Sequence, residues 1–237
     1  MDIVKLTIKD FFSLKFLKFA LIPLIFSLLL MLFLGVLGFS ALLDYFNSLF
    51  SVSEGSFWAW FYALHFMQIL ITIISFLFSG FVIVFASVFL ALFITSFLTP
   101  FIAKEINQKY YHHPKKDEIS HLKTIFEIFK IFIQFIGIFL LCTLALFLPF
   151  INFFVYYLAF YYLFHKLLML DITSAVLDKE NFKSFNSSFS PLGFKFSTFC
   201  FYLLSSVPLL GIFLQVFFVI FLTHLAYQKI LKLEVKA

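Results

Sequence analysis

The lysines of this 237-residue chain are confined to four segments, and the apolar stretches between them carry no formal charge. All 17 basic residues are lysine, and they lie within residues 5–18, 104–130, 166–195 and 229–236. The main uncharged stretches span residues 19–43, 55–103, 131–164 and 196–228. An apolar run of about 20 residues can cross the hydrocarbon core of a bilayer as a helix. The alternation therefore predicts an all-α integral membrane protein.

The composition excludes a water-soluble fold. Hydrophobic residues make up 63% of the sequence and charged residues 12%, about half the roughly 25% expected of a soluble domain. A soluble protein of this length would leave large apolar patches in contact with water. A soluble enzyme and a nucleic-acid-binding domain are therefore excluded. The net charge of +5 instead indicates lysines that lie at the membrane edge and face lipid headgroups.

The positions of the lysines predict the topology, because lysine-rich loops stay on the cytoplasmic side of a membrane. All four lysine segments then belong to the cytoplasmic side, together with both chain termini. The polar stretch at residues 44–56 contains Asp44 and Glu54 but no lysine, so it belongs to the opposite side.

This arrangement determines how often each of the first two apolar runs crosses the membrane. The run at residues 19–43 leads from the lysine side to the other side, and the run at residues 55–103 returns. A turn near Ser79 and Gly80 would have neither proline, asparagine nor charge to form it. We therefore expect two long transmembrane helices, the second of them continuous through Ser79 and Gly80.

Each of the last two apolar runs starts and ends beside lysines, and each has a proline near its middle. Both runs must cross an even number of times, which predicts two helical hairpins. We expect their turns at residues 149–152 and 208–211, which contain Pro149, Pro208 and Gly211. These turns are apolar and uncharged, which favours re-entrant hairpins whose tips stop inside the bilayer. The alternative is two ordinary transmembrane hairpins with tight turns.

The N-terminal stretch mixes apolar residues with lysines and predicts a short interfacial helix that lies on the membrane surface. We expect a single membrane domain over residues 1–237. Its predicted parts, in order, are the interfacial helix (1–18), the first transmembrane helix (19–43), a long second transmembrane helix (57–110), hairpin 1 (124–168), a cytoplasmic linker (169–190) and hairpin 2 (191–232).

No catalytic motif is present in the sequence, and we expect neither an enzyme nor a metal or cofactor site. His112, His113 and His121 lie in a lysine-rich segment without a Cys or carboxylate at a metal-ligand spacing. His165 and His224 lie at the cytoplasmic ends of hairpin arms, where we expect their side chains to reach toward the membrane surface.

Asp171 interrupts an apolar stretch beyond the end of hairpin 1. If it is buried in the membrane, it is a candidate functional residue. If it lies on an amphipathic cytoplasmic helix, it has a structural role and pairs with Lys166 or Lys179. We favour the structural interpretation.

The hairpin tips offer the clearest binding chemistry. If a helix restarts after Pro149 and after Pro208, its N-terminus presents free N–H groups at the tip, and such a terminus attracts anions. Asn152, Ser205 and Ser206 lie near the tips and can add hydrogen-bond donors. We therefore expect an anion path past the tips. The alternative is that each tip is capped internally and only packs.

Four stretches have an order and spacing found together in one known family. They are a Lys-Phe start and a proline within residues 18–24, Pro-Phe followed by Ala-Lys-Glu-Ile within residues 100–106, the two proline tips at residues 148–152 and 207–211, and Asp171 with Asp178 and the Phe-rich residues 182–194. In these stretches the chain resembles the CysZ-type sulfate permeases, which are grouped with the eukaryotic etoposide-induced proteins. The resemblance extends over nearly the whole chain and is that of a divergent bacterial member.

The resemblance implies two long transmembrane helices and two partly penetrating hairpins, assembled as a homo-oligomer in the bacterial inner membrane. It also implies uptake of sulfate, a small inorganic anion, for cysteine synthesis. The family's sulfate-binding stretch has Gly-apolar-Arg-Arg, and of the matching residues 15–18 only Lys18 keeps a basic side chain in place of an arginine. The alternatives are a non-transporting membrane scaffold of the same fold and a channel or permease for another solute.

Overall fold

The computed structural model describes residues 2–49, 64–115, 117, 119–144, 152–187 and 190–235. The regular elements in these ranges are all helical, as expected for an all-α protein. The described α-helices are α1 (Ile3–Phe11), α2 (Leu14–Leu49), α3 (His65–Ile106), α4 (His121–Leu144), α5 (Asn152–Val176), α6 (Lys179–Ser187), α7 (Leu192–Ser205) and α8 (Pro208–Lys229). A π-helical turn, Asn107–Tyr111, extends α3.

Helix α3 runs without interruption through Ser79 and Gly80, which confirms the expectation of one continuous helix. Its 42 residues correspond to about 63 Å at ~1.5 Å per residue, roughly twice the ~30 Å hydrocarbon core of a bilayer. Helix α2 is longer at both ends than the predicted residues 19–43 and continues past Asp44. A single aspartate costs a helix less than about 1 kcal/mol, so this charge does not end α2.

Helix α1 lies within the stretch where a short N-terminal helix was expected. The side chain of Asp2 caps it, because Oδ1 accepts a hydrogen bond from the N–H of Val4 at 3.1 Å. The ring of Phe11 is buried and contacts Phe213 and Phe217 edge-on, with centroid distances of 5.2 and 5.6 Å. One face of α1 thus packs on α8 and the other is exposed. Its position at the membrane surface stays a prediction.

Packing divides the chain into two compact units. Unit 1 consists of Met1–Ala20 and Ile94–Ala237, and unit 2 consists of Leu21–Phe93. In unit 2, described apolar side chains such as Leu29, Phe33 and Phe76 are 60%, 63% and 67% exposed. An apolar surface this open is typical of helices that face lipid or another protein.

Helix α8 is the central helix of unit 1. It packs against α1, α5 and α7, and α5 packs in addition against α4 and α7. The side chains of residues 222–227 are all buried, on every side of α8. The stacked rings of Phe201 and Phe218, 4.3 Å apart between centroids, join α7 to α8. Because α8 is enclosed in this way, it positions the helices that contact it, α1, α5 and α7.

Hairpin 1 is formed by α4 and α5, which pack against each other. Its predicted tip, with Pro149, lies outside the described residues, and Asn152 is the first residue of α5. Helix α5 continues to Val176, so residues 169–176 of the predicted linker belong to the second arm of the hairpin. The rest of the predicted linker contains α6.

Hairpin 2 is formed by α7 and α8, and its turn lies two residues earlier than predicted. Ser206 and Val207 connect the two helices, and Pro208 begins α8. The predicted turn at residues 208–211 is therefore wrong, since these residues form the first turn of α8. Proline lacks an N–H group and has a φ angle suited to the first helical position, so it marks the start of the helix.

Two stretches of the described residues are long and apolar enough to cross a membrane, Leu14–Gly38 of α2 and Leu122–Leu144 of α4. Only 17% and 6% of their apolar windows are buried inside the protein. A helix this apolar in a soluble protein would be largely enclosed by its core. The exposure of both stretches fits contact with lipid.

Candidate functional site

The tip of hairpin 2 brings together four of the predicted residues, Ser205, Ser206, Pro208 and Gly211. A Cβ atom at Gly211 would lie 2.9 Å from both the Cα and the carbonyl oxygen of Ser205. Packed carbon atoms approach to about 3.5–4.0 Å. Glycine therefore lets the first turn of α8 approach the last residue of α7 this closely.

Among the described residues, the N-terminus of α8 has no side chain that caps its first amides. Its N-cap residue is Val207, and no side chain caps the helix. Pro208 has no N–H, and the N–H of Gly211 donates to the carbonyl oxygen of Val207 at 2.8 Å. By helix geometry, the N–H groups of Leu209 and Leu210 are left without an intrahelical acceptor. The tip thus presents two amides and the positive end of the helix dipole.

The two serines at the turn differ in their hydrogen bonding. The Oγ atom of Ser205 is buried and has no partner within the part of the chain that the structure describes. Ser206 is exposed, and its hydroxyl donates to the carbonyl oxygen of Tyr202 at 3.2 Å. A buried polar group without a partner costs about 1–3 kcal/mol. A bound anion would satisfy the Ser205 hydroxyl.

A second polar site, which the sequence analysis did not identify, surrounds the carboxylate of Asp10. Its Oδ1 accepts hydrogen bonds from Nζ of Lys109 at 2.6 Å and from the hydroxyl of Tyr110 at 2.8 Å. Its Oδ2 lies 3.1 Å from Nε2 of His224. The side chains of Asp10 and His224 are fully buried. The carboxylate thus joins α1, the π-helical turn and α8.

The imidazole of His224 is held from both sides. Its second nitrogen, Nδ1, lies 2.9 Å from the hydroxyl of Tyr111, which also accepts a hydrogen bond from Nε2 of Gln228 at 3.1 Å. The ring of Tyr111 stacks on that of Tyr227 at 4.6 Å between centroids. The prediction that His224 reaches the membrane surface is wrong, because Asp10 and Tyr111 give it partners inside the protein.

Hydrogen bonding determines the charge state of the Asp10 carboxyl. Burial by itself raises the pKa of Asp10, but hydrogen bonds from His224, Lys109 and Tyr110 outweigh this effect. The net pKa lies below the ordinary value, so Asp10 is a carboxylate at neutral pH. The helical protein thus has two polar sites. One is a hairpin tip whose donors suit an anion, and the other is a charged cluster that stabilises the contact between α1 and α8.

A comparison with protein families decides the classification. The family model described as "Sulfate transporter CysZ/Etoposide-induced protein 2.4" matches residues 4–215. The chain belongs to this family. The matched region begins in α1 and includes the tip of hairpin 2. No curated protein and no solved structure matches the chain.

Membership in the CysZ/etoposide-induced family confirms the resemblance seen in the sequence. Together with the apolar helices, it indicates a membrane protein with a function related to sulfate transport. Of the predicted anion-binding residues, Lys18 is exposed on α2 and makes no hydrogen bond or ion pair among the described residues. Asn152 lies at the N-terminus of α5, and its side chain lies outside the described part of the structure.

Contrary to the expectation from the sequence, the side chain of His165 also does not reach toward the membrane surface. Its Nδ1 lies 2.7 Å from Oγ1 of Thr198, and its Nε2 lies 3.3 Å from Oγ of Ser190. The side chain is buried, with 6% of the residue exposed. The prediction of a side chain that reaches the surface is wrong, because α7 and the segment before it supply hydroxyl partners.

Asp171 is half-buried on α5, in the predicted linker. Its partner is Ser96 of α3, whose hydroxyl donates to Oδ2, and not Lys166 or Lys179. The expected pairing of Asp171 with Lys166 or Lys179 is therefore wrong, and the contact with Ser96 joins α5 to α3.

In the described ranges, no group of three or more His, Cys, Asp or Glu side chains is placed to hold a metal ion. Of the three histidines in the lysine-rich segment, His112 is exposed and has a left-handed backbone with φ of 50°. The carbonyl oxygen of His113 accepts a hydrogen bond from Nδ2 of Asn107 at 2.8 Å, and the N–H of His113 donates to Oδ1 of Asn107 at 2.9 Å. This segment therefore ends α3 with an ordered cap.

Proposed function

We propose that this protein is an inner-membrane permease for sulfate or a related tetrahedral oxyanion, which supplies sulfur assimilation. The observation that carries the proposal is the tip of hairpin 2 in a member of a sulfate transporter family. There the uncapped amides of α8 lie together with the Ser205 hydroxyl, which has no hydrogen-bond partner among the described residues. A sulfate ion accepts hydrogen bonds and donates none. An open helix N-terminus with an added hydroxyl donor supplies the matching chemistry.

The lengths of the helices in hairpin 2 support a re-entrant arrangement. Helix α7 has 14 residues, about 21 Å at ~1.5 Å per residue, whereas the hydrocarbon core is about 30 Å thick. A hairpin with such a short arm has its tip inside the bilayer. Non-helical backbone at that depth must be covered by protein or line a water-filled cavity. We propose that the turn at Ser206 and Val207 lines such a cavity.

The other predicted residues extend the proposed path. Lys18 attracts an oxyanion as a point charge, without the two-pronged geometry of arginine. Asn152 begins α5, so the N-terminus of that helix offers the same kind of donors in hairpin 1. The stretch Leu122–Leu144 of α4 is long enough to span, so hairpin 1 is compatible with either a re-entrant or a spanning form. We further propose cytoplasmic termini, from the lysine positions, and a homo-oligomer.

The charge of sulfate limits how such a path can work. Moving one charge against a membrane potential costs about 2.3 kcal/mol per 100 mV. For a divalent anion and an interior that is negative by ~150 mV, the cost is roughly 7 kcal/mol. We therefore propose a pore-like path in which sulfate enters down its own concentration gradient, and the cell maintains this gradient by consuming sulfate.

Replacing the hydroxyl at the tip tests this function directly. We expect Ser205→Ala to raise the KM for sulfate uptake about tenfold or more, because a hydrogen bond to a charged group contributes about 1.5–3 kcal/mol. The fold should not suffer, since the hydroxyl has no hydrogen-bond partner in the described part of the chain. The measurement is uptake of radiolabelled sulfate into proteoliposomes over a range of sulfate concentrations.

Ser206→Ala is the matched control for this experiment. It removes the neighbouring hydroxyl, which is exposed and bonded to its own helix. We expect uptake at the wild-type rate and KM for this variant. If Ser205→Ala and Ser206→Ala both transport sulfate with the wild-type KM, the tip of hairpin 2 is not the binding site.

A further inference from the structure

A serine hydroxyl and a histidine ring face each other at the end of hairpin 2 that is remote from its tip. Oγ of Ser190 lies 3.3 Å from Nε2 of His165, and Nδ1 of the same ring lies 2.7 Å from Oγ1 of Thr198. Ser190 belongs to the segment before α7, His165 to α5 and Thr198 to α7. His165 is 25 residues from Ser190 and 33 residues from Thr198 along the chain, so no local sequence motif indicates this group.

The hydrogen bonds of Thr198 determine which nitrogen of His165 carries the proton. The Thr198 hydroxyl donates its hydrogen within its own helix, to the carbonyl oxygen of Phe194 at 2.8 Å. Its oxygen is therefore left to accept a hydrogen bond from Nδ1–H of the imidazole. In a neutral imidazole Nε2 then has no hydrogen, so it accepts a hydrogen bond from the hydroxyl of Ser190. A general base requires this orientation toward the group that it deprotonates.

Thr198 and His165 are enclosed by the protein, whereas Ser190 is accessible. Thr198 is fully buried and 6% of His165 is exposed, so packing restricts both side chains. Ser190 is half-buried. A hydroxyl, a base that accepts its proton and a third group that orients the base are the parts of an activated serine nucleophile. All three parts are present here, with Thr198 as the positioning residue.

The start of α7 supplies donors for the negative charge that develops on oxygen when a serine attacks a carbonyl group. Among the described residues no side chain caps this helix. By helix geometry, the N–H groups of Leu192 and Gly193 have no intrahelical acceptor. They follow Ser190 by two and three residues, and a Cβ atom at Gly193 would meet no atom within 4 Å, so the space beside it is open. Amides in this position are suited to stabilise a tetrahedral intermediate.

The surroundings of Ser190 favour an ester with an apolar acyl chain. Leu192 and Phe196, in the first turns of α7, are 84% and 71% exposed. In the proposed topology this end of hairpin 2 lies at the cytoplasmic face of the membrane, where lipid acyl esters are present. An acyl chain that packs on these two side chains would bury apolar surface and bring its ester group to Ser190.

We propose that Ser190 is the nucleophile of an esterase site for fatty acyl esters, with His165 as its general base. Oγ forms a bond to the carbonyl carbon, and the proton of the hydroxyl passes to Nε2. The bond from the carbonyl carbon to the alcohol oxygen breaks, and the alcohol leaves with this proton. Water then attacks the acyl-serine, gives one proton to Nε2 and releases the fatty acid, and that proton returns to Oγ. The net reaction converts one ester and one water into one fatty acid and one alcohol.

Covalent labelling of the full-length protein in detergent with an alkyl fluorophosphonate tests the nucleophile. The wild type should bind one probe per chain, with fluoride as the leaving group, and mass spectrometry should find the adduct on Ser190. Ser190→Ala should not be labelled. His165→Asn should react at least about 100-fold more slowly, because general base catalysis contributes about 10²–10⁴-fold. Both variants should also lose the hydrolysis of p-nitrophenyl octanoate that the wild type shows.

Ser197→Ala is the matched control, because its hydroxyl donates within α7, to the carbonyl oxygen of Gly193 at 2.8 Å. It should be labelled at the wild-type rate. Thr198 is tested by rescue, since Thr198→Val removes the acceptor of Nδ1–H and should lose most of the labelling, whereas Thr198→Ser keeps the acceptor and should restore it. Thermal unfolding, followed by circular dichroism, verifies that each variant is folded.

Three results would overturn the proposal: a wild type that is not labelled, an adduct on another residue, or equal labelling of Ser190→Ala and wild type. Labelling of Thr198→Val at the wild-type rate would remove Thr198 from its positioning role. Neither outcome bears on sulfate uptake, because the proposed anion path passes the tip at the opposite end of α7 and does not use these residues. The esterase and the permease are therefore tested separately.

Discussion

Replacing Asp10 with alanine is expected to lower the free energy of unfolding by about 3–5 kcal/mol, the cost of breaking a buried charge network by removing one member. The substitution leaves His224 buried without its acceptor and removes the acceptor of the Tyr110 hydroxyl. Lys109 contributes less to this loss because its side chain is 42% exposed and water can solvate the ammonium group.

The effect of Asp10→Ala can be measured by the thermal unfolding of purified protein in detergent, followed by circular dichroism. For a chain of this size, the loss corresponds to a decrease in melting temperature of roughly 6–20 °C. Asp2→Ala is the control on the same helix, because it removes an exposed N-cap and should cost about 1 kcal/mol. Equal losses for the two variants would show that the cluster at Asp10 does not stabilise the fold.

Replacing Gly211 with alanine is expected to disrupt the tip of hairpin 2. The added Cβ would lie 2.9 Å from the backbone of Ser205, and backbone cannot move aside as a flexible side chain can. Forcing an extra methyl group into a packed site costs about 1–3 kcal/mol, more than the gain of up to about 1 kcal/mol when alanine replaces glycine in a helix. The displaced tip should also transport sulfate several-fold more slowly.

The control for Gly211→Ala is Gly137→Ala on α4. A Cβ at Gly137 meets no atom within 4 Å, so this variant should gain helix stability without a clash. Melting temperature and sulfate uptake are measured for both variants. A Gly211→Ala protein that melts and transports like Gly137→Ala would contradict the close packing at the tip.

The sequence predicted the parts of the fold that depend on charge and length. Lysine positions required an odd number of crossings for residues 55–103, and α3 is continuous through Ser79 and Gly80. The prolines indicated where hairpin 2 reverses, but the turn was placed at Pro208 instead of before it. A proline can end the helix before it or begin the helix after it. The sequence alone did not distinguish these two possibilities.

The cluster around Asp10 could not be predicted from local pattern, because Asp10 and His224 are 214 residues apart. The mixture of lysines and apolar residues around Asp10 predicted an interfacial helix and did not indicate a buried carboxylate. One signal was present, since Asp10 lies one turn after Leu6 and beside Phe11, on the apolar face of α1. A carboxylate on an apolar face requires a buried partner, but the sequence does not identify which residue provides it.

The central claim is that the protein conducts sulfate, and the most direct measurement is radiolabelled sulfate uptake into proteoliposomes that contain wild-type protein, compared with empty liposomes. The proposal predicts uptake down a sulfate gradient well above that of empty liposomes, inhibited by excess unlabelled sulfate and slowed by an inside-negative potential. Uptake no greater than that of empty liposomes would contradict the claim and favour a membrane scaffold. The claim would also be contradicted if the proteoliposomes take up another solute, sulfate does not inhibit that uptake, and sulfate itself does not enter. The protein would then be a permease for a different solute.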